Sequence, residues 1–225
     1  MSNSFNTGDI ILCHSQSDTK PDPGIDGLIE IFTHSPYEHT GFIIVDPYWV
    51  EQKGVYILQS GWGPNEYPDV INGNTSGVTL NKLCDFMKGR RYVCYRRLSG
   101  QIWNHDSMEK LKEIFDIVHG KLYDSNPIHW ICMGISYYIY LPNCANSCVK
   151  KNTTRFTCSA LVVYIMVMME WIDDIDWSDK APTFVAKLKL QSPLCLGKIT
   201  RYTSLKIVNP NFFLEMKGNP HLMVA

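Results

Sequence analysis

The residue best suited to covalent chemistry in this chain is a cysteine at the start of an apolar segment. Cys158 follows Thr157 and precedes the run Ala160 to Met169, which contains no Gly, Pro or charge. If Thr157 is the N-cap of a helix, Cys158 lies in the first turn, where backbone N–H groups and the positive helix end favour a thiolate. The pattern predicts a nucleophilic thiol with a lowered pKa. The alternative is an ordinary core residue, because free cysteine is among the most buried residue types.

A histidine and a glutamine on a predicted hairpin are candidate partners for that thiol. Two apolar runs predict its strands, His39 to Val45 and Val55 to Ser60. With Val45 opposite Val55, Gly41 lies opposite Gln59, and His39 is the diagonal neighbour of Gln59 on the same face. Because Gly41 has no side chain, we expect it to leave a space between them, on the face that meets the cysteine helix. A slip of one residue would turn Gln59 to the other face.

These three residues together predict acyl-transfer chemistry. A cysteine hydrolase needs a nucleophilic thiol, a base that takes its proton and a polar group that orients the base. Cys158, His39 and Gln59 could supply them, and the backbone N–H of Cys158 could stabilise an oxyanion. Tyr37 and Ser159 are weaker candidates for substrate or oxyanion contacts. Packing is the favoured interpretation of Tyr37, and a plain first-turn position that of Ser159.

The remaining pattern predicts a sheet of about four to six strands with helices against it. Further strands are expected at 10–13, 78–80 and 92–96, and a long loop from Gly61 to Gly77 could form one wall of a cleft. Asp106 and Glu109 have the spacing of a capping box, which predicts a helix that ends at Gly120. Asp9 is interpreted as a turn residue, His105 as solvated, and His119 as a residue that favours the helix C-terminus.

Composition excludes several classes of protein. The 225 residues predict one domain, 1–225, and the net charge of −1, with no Lys/Arg run longer than two, argues against a nucleic-acid partner. The amino-terminal residues do not resemble a signal peptide, so a cytoplasmic location with reduced cysteines is expected. Cys144 and Cys148 lack a second ligand pair, so a metal is not expected. A cofactor is not expected either, because the predicted acyl-transfer chemistry requires none. Ile128 to Leu141 is too short to span a bilayer, but it could be core or contact a membrane surface.

The order of several short motifs resembles the circularly permuted NlpC-like branch of the papain-like cysteine hydrolases, and the YiiX-like group fits best. The motifs are Gly8–Ile11, Ser35–Phe42, Val55–Gln59, Gly120–Asp124 and Thr157–Val162. In that branch the histidine strand precedes the cysteine helix, as His39 precedes Cys158 here. The third position is commonly His or Glu, so Gln59 is a departure. Ala160 is another, because related proteins often place an acidic residue there.

The resemblance implies an α+β fold in which an antiparallel sheet packs against helices, with Cys158 as nucleophile, His39 as base and Gln59 as the third polar residue. It also implies an enzyme that acts on amide bonds through a thioester, without a cofactor. Two alternatives stay open, a lipid acyltransferase or thioesterase of the lecithin:retinol acyltransferase type and an inactive binding or structural protein. The substrate would be a peptide, another amide or an acyl lipid. The family includes members from large DNA viruses, for which host cytoplasm or virion would be the location.

Overall fold

The structure is a computed structural model that describes residues 5–14, 37–62, 67–88, 93–126, 153–178 and 180–202. The described strands are β1 (Ile10–His14), β2 (Tyr37–Val45), β3 (Val55–Gly61), β4 (Gly77–Lys82), β5 (Val93–Arg96), β6 (Leu98–Ser99), β7 (Leu122–Tyr123), β8 (Arg155–Phe156), β9 (Cys195–Leu196) and β10 (Thr200–Tyr202). The described helices are α1 (Leu83–Phe86), α2 (His105–Val118), α3 (Cys158–Met168) and α4 (Pro182–Lys187). The predicted segment 128–141 and the Cys144–Cys148 pair lie outside the described residues.

The centre of the fold is a six-stranded sheet with the order β10-β5-β1-β2-β3-β4. Every neighbouring pair in it is antiparallel. An α+β fold with an antiparallel sheet is therefore confirmed. The predicted hairpin register is confirmed as well, because Val45 pairs with Val55 and the ladder continues to Phe42 opposite Leu58.

The two faces of the sheet bury separate apolar clusters, because side chains alternate along each strand. Ile10, Leu12, Phe42 and Ile44 pack in the cluster that contains α3. Their neighbours in sequence face a second cluster, which includes Phe86 of α1. Helix α3 is buried from Cys158 to Val167, which confirms the prediction of a helix that is apolar on every side.

Helix α2 begins at His105, and its cap therefore lies two residues before Asp106, the predicted cap residue. Its N-cap is Asn104, whose side chain accepts from the backbone N–H of Ser107, while the Ser107 side chain accepts from the N–H of Asn104. The predicted box of Asp106 and Glu109 is therefore wrong. Asn104 is itself a preferred N-cap residue, and the two choices differ by two positions, which is a common error at helix ends. His105 is exposed, as predicted.

Asp9 is expected from the sequence to be a turn residue, but its carboxyl group is buried and also contacts a distant segment of the chain. Its Oδ2 accepts from the N–H of Asn6 at 2.9 Å, and its Oδ1 accepts from the N–H of Leu98 at 2.9 Å. Burial raises the pKa of Asp9, and these two N–H groups and the Arg97 charge oppose the rise. The side chain thus ties the turn before β1 to β6, a contact between residues 89 positions apart that local pattern does not reveal.

Arg96 at the end of β5 anchors the carboxyl-terminal segment of the described chain. Its guanidinium donates to the carbonyls of Val185 and Leu188, each at 2.9 Å, and to those of Gly197 and Leu196 at 3.1 and 3.3 Å. Burial lowers the pKa of Arg96. One side chain therefore holds the end of α4 and strand β9 against the sheet.

Candidate active site

The start of α3 has the predicted cap. Thr157 is the N-cap, and its Oγ1 accepts from the N–H of Ala160 at 3.2 Å. Cys158 is the first helical residue and is only 5% exposed. The first-turn position of the candidate nucleophile is confirmed.

The thiol of Cys158 lies where β2 and β3 separate. Their ladder ends at Phe42 and Leu58, although both strands continue beyond it. Ile43 exchanges backbone hydrogen bonds with residues that precede β1, so the N–H of Thr40, three residues earlier, points toward β3. That N–H lies close enough to the Cys158 thiol to lower the pKa of the thiol. The thiol therefore lies beside the split between the two strands, near an N–H that a strand partner would otherwise bind.

His39 and Gln59 bridge the same split with their side chains. The His39 Nε2 and Gln59 Oε1 atoms are 2.6 Å apart, so the predicted diagonal contact is confirmed. Because β2 and β3 no longer pair at this point, the two side chains replace the missing backbone contact. The site thus brings His39 and Gln59 together at the place where Thr40 meets Cys158.

Asn81 on β4 orients the amide of Gln59. Its Oδ1 accepts from Gln59 Nε2 at 2.8 Å and from Thr79 Oγ1 at 2.9 Å. Its Nδ2 donates to the carbonyls of Tyr67 and Pro68, at 2.9 and 3.1 Å. Since all of these bonds require the same orientation of the Asn81 amide, the NH₂ group of Gln59 must face Asn81.

This arrangement selects one tautomer of His39. The carbonyl oxygen of Gln59 faces the ring, so Nε2 carries the hydrogen and donates it. Nδ1 is then the basic nitrogen of the neutral ring. Sequence reasoning missed Asn81 and Thr79, although the alternation in Val78–Leu80 places Thr79 on the face of the sheet opposite to its neighbours.

The face on which His39 lies differs from the prediction. His39 packs against Phe86, with ring centroids 5.8 Å apart, in the layer away from α3. Cys13 pairs with His39 in the β1–β2 ladder and shares that layer. The expectation that His39 faces the cysteine helix is wrong; the thiol and the imidazole instead approach the strand split from opposite layers. Cys13 is a second thiol beside the imidazole that sequence reasoning did not single out.

Gly41 does not leave a space in the layer of His39. A Cβ at this position would lie 2.5 Å from Cδ1 of Ile57, which fills the region beside the glycine. The predicted gap is therefore wrong, because a large side chain from the neighbouring strand occupies it. Gly41 instead permits Ile57 to pack over β2.

The protonation state of Cys158 also differs from the prediction. Burial raises the pKa of the thiol, and the N–H groups of Thr40 and Ser159 lower it by less. The expectation of a lowered pKa is wrong, since loss of water at a nearly inaccessible site outweighs the helix end. A thiol whose pKa is raised needs a base to remove its proton during attack.

The two weaker candidates have structural contacts. Tyr37 is half-buried and packs against the cluster that contains α3, where burial and the nearby Cys94 raise its pKa. Ser159 is buried, and its Oγ donates to the carbonyl of Lys180 at 2.5 Å. The contacts of Tyr37 and Ser159 are those expected of residues with a structural role. A role at the oxyanion stays a prediction for both residues.

A hydrogen-bonded contact between Asp69 and His119 supports the loop that carries Tyr67 and Pro68. Asp69 Oδ2 accepts from the N–H of Leu80 at 2.6 Å and lies 2.9 Å from His119 Nε2. The interpretation of His119 through the helix dipole is therefore incomplete, because its partner is a carboxylate fifty residues earlier. Burial alone would raise the pKa of Asp69, but His119 and three backbone N–H groups outweigh it and lower the pKa.

Replacement of Asp69 by asparagine is expected to lower the free energy of unfolding at pH 7 by about 2 kcal/mol. Since the folded pKa is lowered, the carboxylate stabilises the fold above the unfolded value of about 3.9, and that contribution is lost as pH falls through the folded pKa. Urea unfolding at pH 7 and pH 3 checks this. The variant should approach the wild type in stability at pH 3, and the exposed Asp106→Asn should behave like the wild type. Equal losses of stability at both pH values would contradict the assignment.

A cavity of about 470 Å³ is lined by residues that are close in sequence to the site. Trp62, three residues after Gln59, and Arg155, three residues before Cys158, both line it. Ser60 connects the two segments, since its Oγ donates to the carbonyl of Phe156 at 2.7 Å. The part of the predicted 61–77 loop that the structure describes thus contributes to a concave surface, as expected of a cleft wall.

Comparisons with known proteins give similarity to solved structures but no match to a family model or a curated protein. Among solved structures, the chain is similar to the crystal structure of metalloprotein yiiX from Escherichia coli O157:H7, DUF1105. The TM-score is 0.43 and the identity 20%, and the match covers 72% of this chain and 65% of that one. The similarity is weak, and family membership is not shown by it.

The described residues have neither a metal-binding cluster nor a membrane-spanning helix. They contain no group of three or more His, Cys, Asp or Glu side chains arranged to hold a metal ion. In the same ranges, no helix combines the length and apolar character that a membrane span requires.

Proposed function

We propose that this protein is a cysteine hydrolase in which Cys158 attacks, His39 acts as general base and Gln59 orients the base. The observation that supports this most strongly is the bond between His39 and Gln59 at the strand split beside the Cys158 thiol. A papain-like fold of the circularly permuted NlpC type is part of the proposal. The order of motifs and the antiparallel sheet support it.

In the proposed reaction, His39 Nδ1 takes the proton from Cys158 as the sulfur forms a bond to the substrate carbonyl carbon. Gln59 accepts from Nε2–H and supports the imidazolium, although a neutral amide does so less than a carboxylate would. The backbone N–H of Cys158, at the start of α3, is an available donor for the oxyanion. The C–N bond then breaks, and the amine leaves with the proton from His39. His39 then deprotonates a water molecule, which attacks the thioester carbonyl carbon. The C–S bond breaks, the acid leaves, and the Cys158 sulfur takes the proton back from His39.

Amide bonds are the proposed target. The alternative of a lipid acyl group was based on the apolar segment 128–141, which lies outside the described residues. An inactive protein is the other alternative, and the raised pKa of Cys158 favours it, because a buried neutral thiol is unreactive without a base. A test must therefore show that Cys158 is activated by its surroundings and is not merely present.

Selective alkylation tests the proposal. We expect iodoacetamide, at limiting concentration and neutral pH, to modify Cys158 at least about tenfold faster than Cys13, because both thiols are buried but only Cys158 is placed at a helix start with N–H donors. Peptide mapping by mass spectrometry gives both rates. Cys13→Ala should leave the Cys158 rate unchanged.

The opposite pattern would contradict the proposal. If Cys13 reacts faster, His39 activates the thiol that faces it across the β1–β2 ladder, and the roles assigned here fail. The rates in the folded protein are also compared with the rates in urea, after correction for the exposure of each thiol. If neither thiol reacts faster in the folded protein, the site is inactive.

A further inference from the structure

The cavity lined by Trp62 and Arg155 has an apolar wall. The Trp62 and Tyr123 rings are stacked, with centroids 6.2 Å apart and planes 23° from parallel. Leu122 continues this wall and is 59% exposed. An exposed aromatic pair of this kind can cover the backbone or an apolar side chain of a bound peptide.

The other residues that line this cavity are mostly polar, and one of them carries a positive charge. Thr75, Ser76 and Ser125 contribute hydroxyl groups, and Arg155 contributes a guanidinium. Arg155 forms no ion pair within the part of the chain that the structure describes. No acidic side chain lines this cavity among the described residues. A guanidinium beside hydroxyl donors is complementary to a carboxylate, which it can bind through two parallel hydrogen bonds.

Arg155, which carries the positive charge of the cavity, is close in sequence to the proposed nucleophile Cys158. Arg155 precedes Cys158 by three residues, a separation of roughly 10 Å along an extended chain. Strand β8 holds Arg155 against Leu122, and Gly61, which precedes Trp62, pairs with Gly77 of β4. The cavity walls are thus attached to the elements that form the strand split. Ten ångströms is also the length of about three residues of extended peptide.

We infer that this cavity binds an acidic side chain of a peptide whose scissile amide lies at Cys158. The inference deepens the proposed function and rests on it for the placement of the scissile bond. A volume of about 470 Å³ with hydroxyl groups and a guanidinium suits a carboxylate side chain and its neighbour. A fatty acyl chain would instead need a long, wholly apolar channel. The substrate class is therefore an acidic peptide.

A binding experiment on Cys158→Ala tests this without catalysis. The probes are acetylated tripeptide amides that differ only in a central Glu, Gln or Lys, titrated into ¹⁵N-labelled full-length protein. We expect the Glu peptide to bind at least about tenfold more tightly than the Gln peptide, because a charge-assisted contact is lost in the latter. Arg155→Gln should abolish the difference, and Arg155→Glu should shift the preference to the Lys peptide. The exposed Lys189→Gln is the matched control and should retain the preference.

Three results would overturn the inference. The first is equal binding of the Glu and Gln peptides, and the second is an unchanged preference in Arg155→Glu. The third is Arg155-dependent binding of phosphatidylserine vesicles with no binding of peptide, which would assign the cavity to a lipid headgroup. Arg155 is exposed, so these variants should fold. Because Cys158 is absent from the assay, an unreactive thiol in the alkylation test would contradict the proposed function alone.

Discussion

Replacement of His39 by alanine is expected to slow alkylation of Cys158 at neutral pH by at least about a hundredfold. Burial holds the thiol in its neutral form, so the thiolate must be generated by a base during the reaction. A positioned general base typically contributes a factor of about 10² to 10⁴. The measurement is the rate of Cys158 modification by mass spectrometry, in parallel with hydrolysis of a Glu-containing peptide ester.

Controls separate the function of the base from loss of packing. The exposed His105→Ala should retain the wild-type rate, since its side chain is 83% exposed and far in sequence from the site. Added imidazole should restore part of the lost rate in His39→Ala, because a small base can enter the space that the ring leaves. Gln59→Leu should retain His39 but lose the acceptor that selects its tautomer, and a reduction of at least about tenfold is expected. If His39→Ala reacts at the wild-type rate, Cys158 has no base and the proposed mechanism is wrong.

Replacement of Arg96 by methionine is expected to lower the free energy of unfolding by about 3 kcal/mol or more. The guanidinium donates to four backbone carbonyls, and Val185 and Leu188 provide two of them at the end of α4. Methionine retains much of the apolar stem but leaves buried carbonyls without these donors. Each lost hydrogen bond to a charged donor is worth about 1.5 to 3 kcal/mol, with less than full additivity.

Urea unfolding monitored by circular dichroism measures the loss. Arg96→Lys should fall between the wild type and Arg96→Met, because a single ammonium cannot span carbonyls on α4 and β9 together. The exposed Lys189→Met should change the stability by no more than about 0.5 kcal/mol. A change of less than 1 kcal/mol in Arg96→Met would show that the carbonyls find other partners and that Arg96 is not the anchor of this segment.

The hairpin and the cysteine helix could be predicted because their signals are local. Thr157 as N-cap, the apolar run of α3 and the Val45–Val55 register all follow from residues near one another in sequence. The register in turn predicts the His39–Gln59 contact. Short-range geometry is sufficient for each of these. A helix cap depends on the residues of the first helical turn, and a hairpin register depends on the connecting loop and on the alternation of side chains.

The acid–base properties of the site could not be predicted in the same way. The lowered pKa expected for Cys158 followed from the helix end alone, whereas the structure adds burial, which raises the pKa. The tautomer of His39 depends on Asn81, which the fold brings to Gln59 from another strand. The partner of Asp69 is likewise distant in sequence. Exclusion of water and hydrogen bonds between remote segments decide these properties.

The sequence by itself determined the candidate residues, the start of the cysteine helix and the hairpin that joins His39 to Gln59. Only the tertiary structure decided that β2 and β3 separate at this point, that the Cys158 thiol lies beside the split, and that the imidazole lies in the opposite layer. The physical reason is that the alternation of side chains is a property of one strand. The end of a ladder and the burial of a thiol depend on how separate elements share the same space.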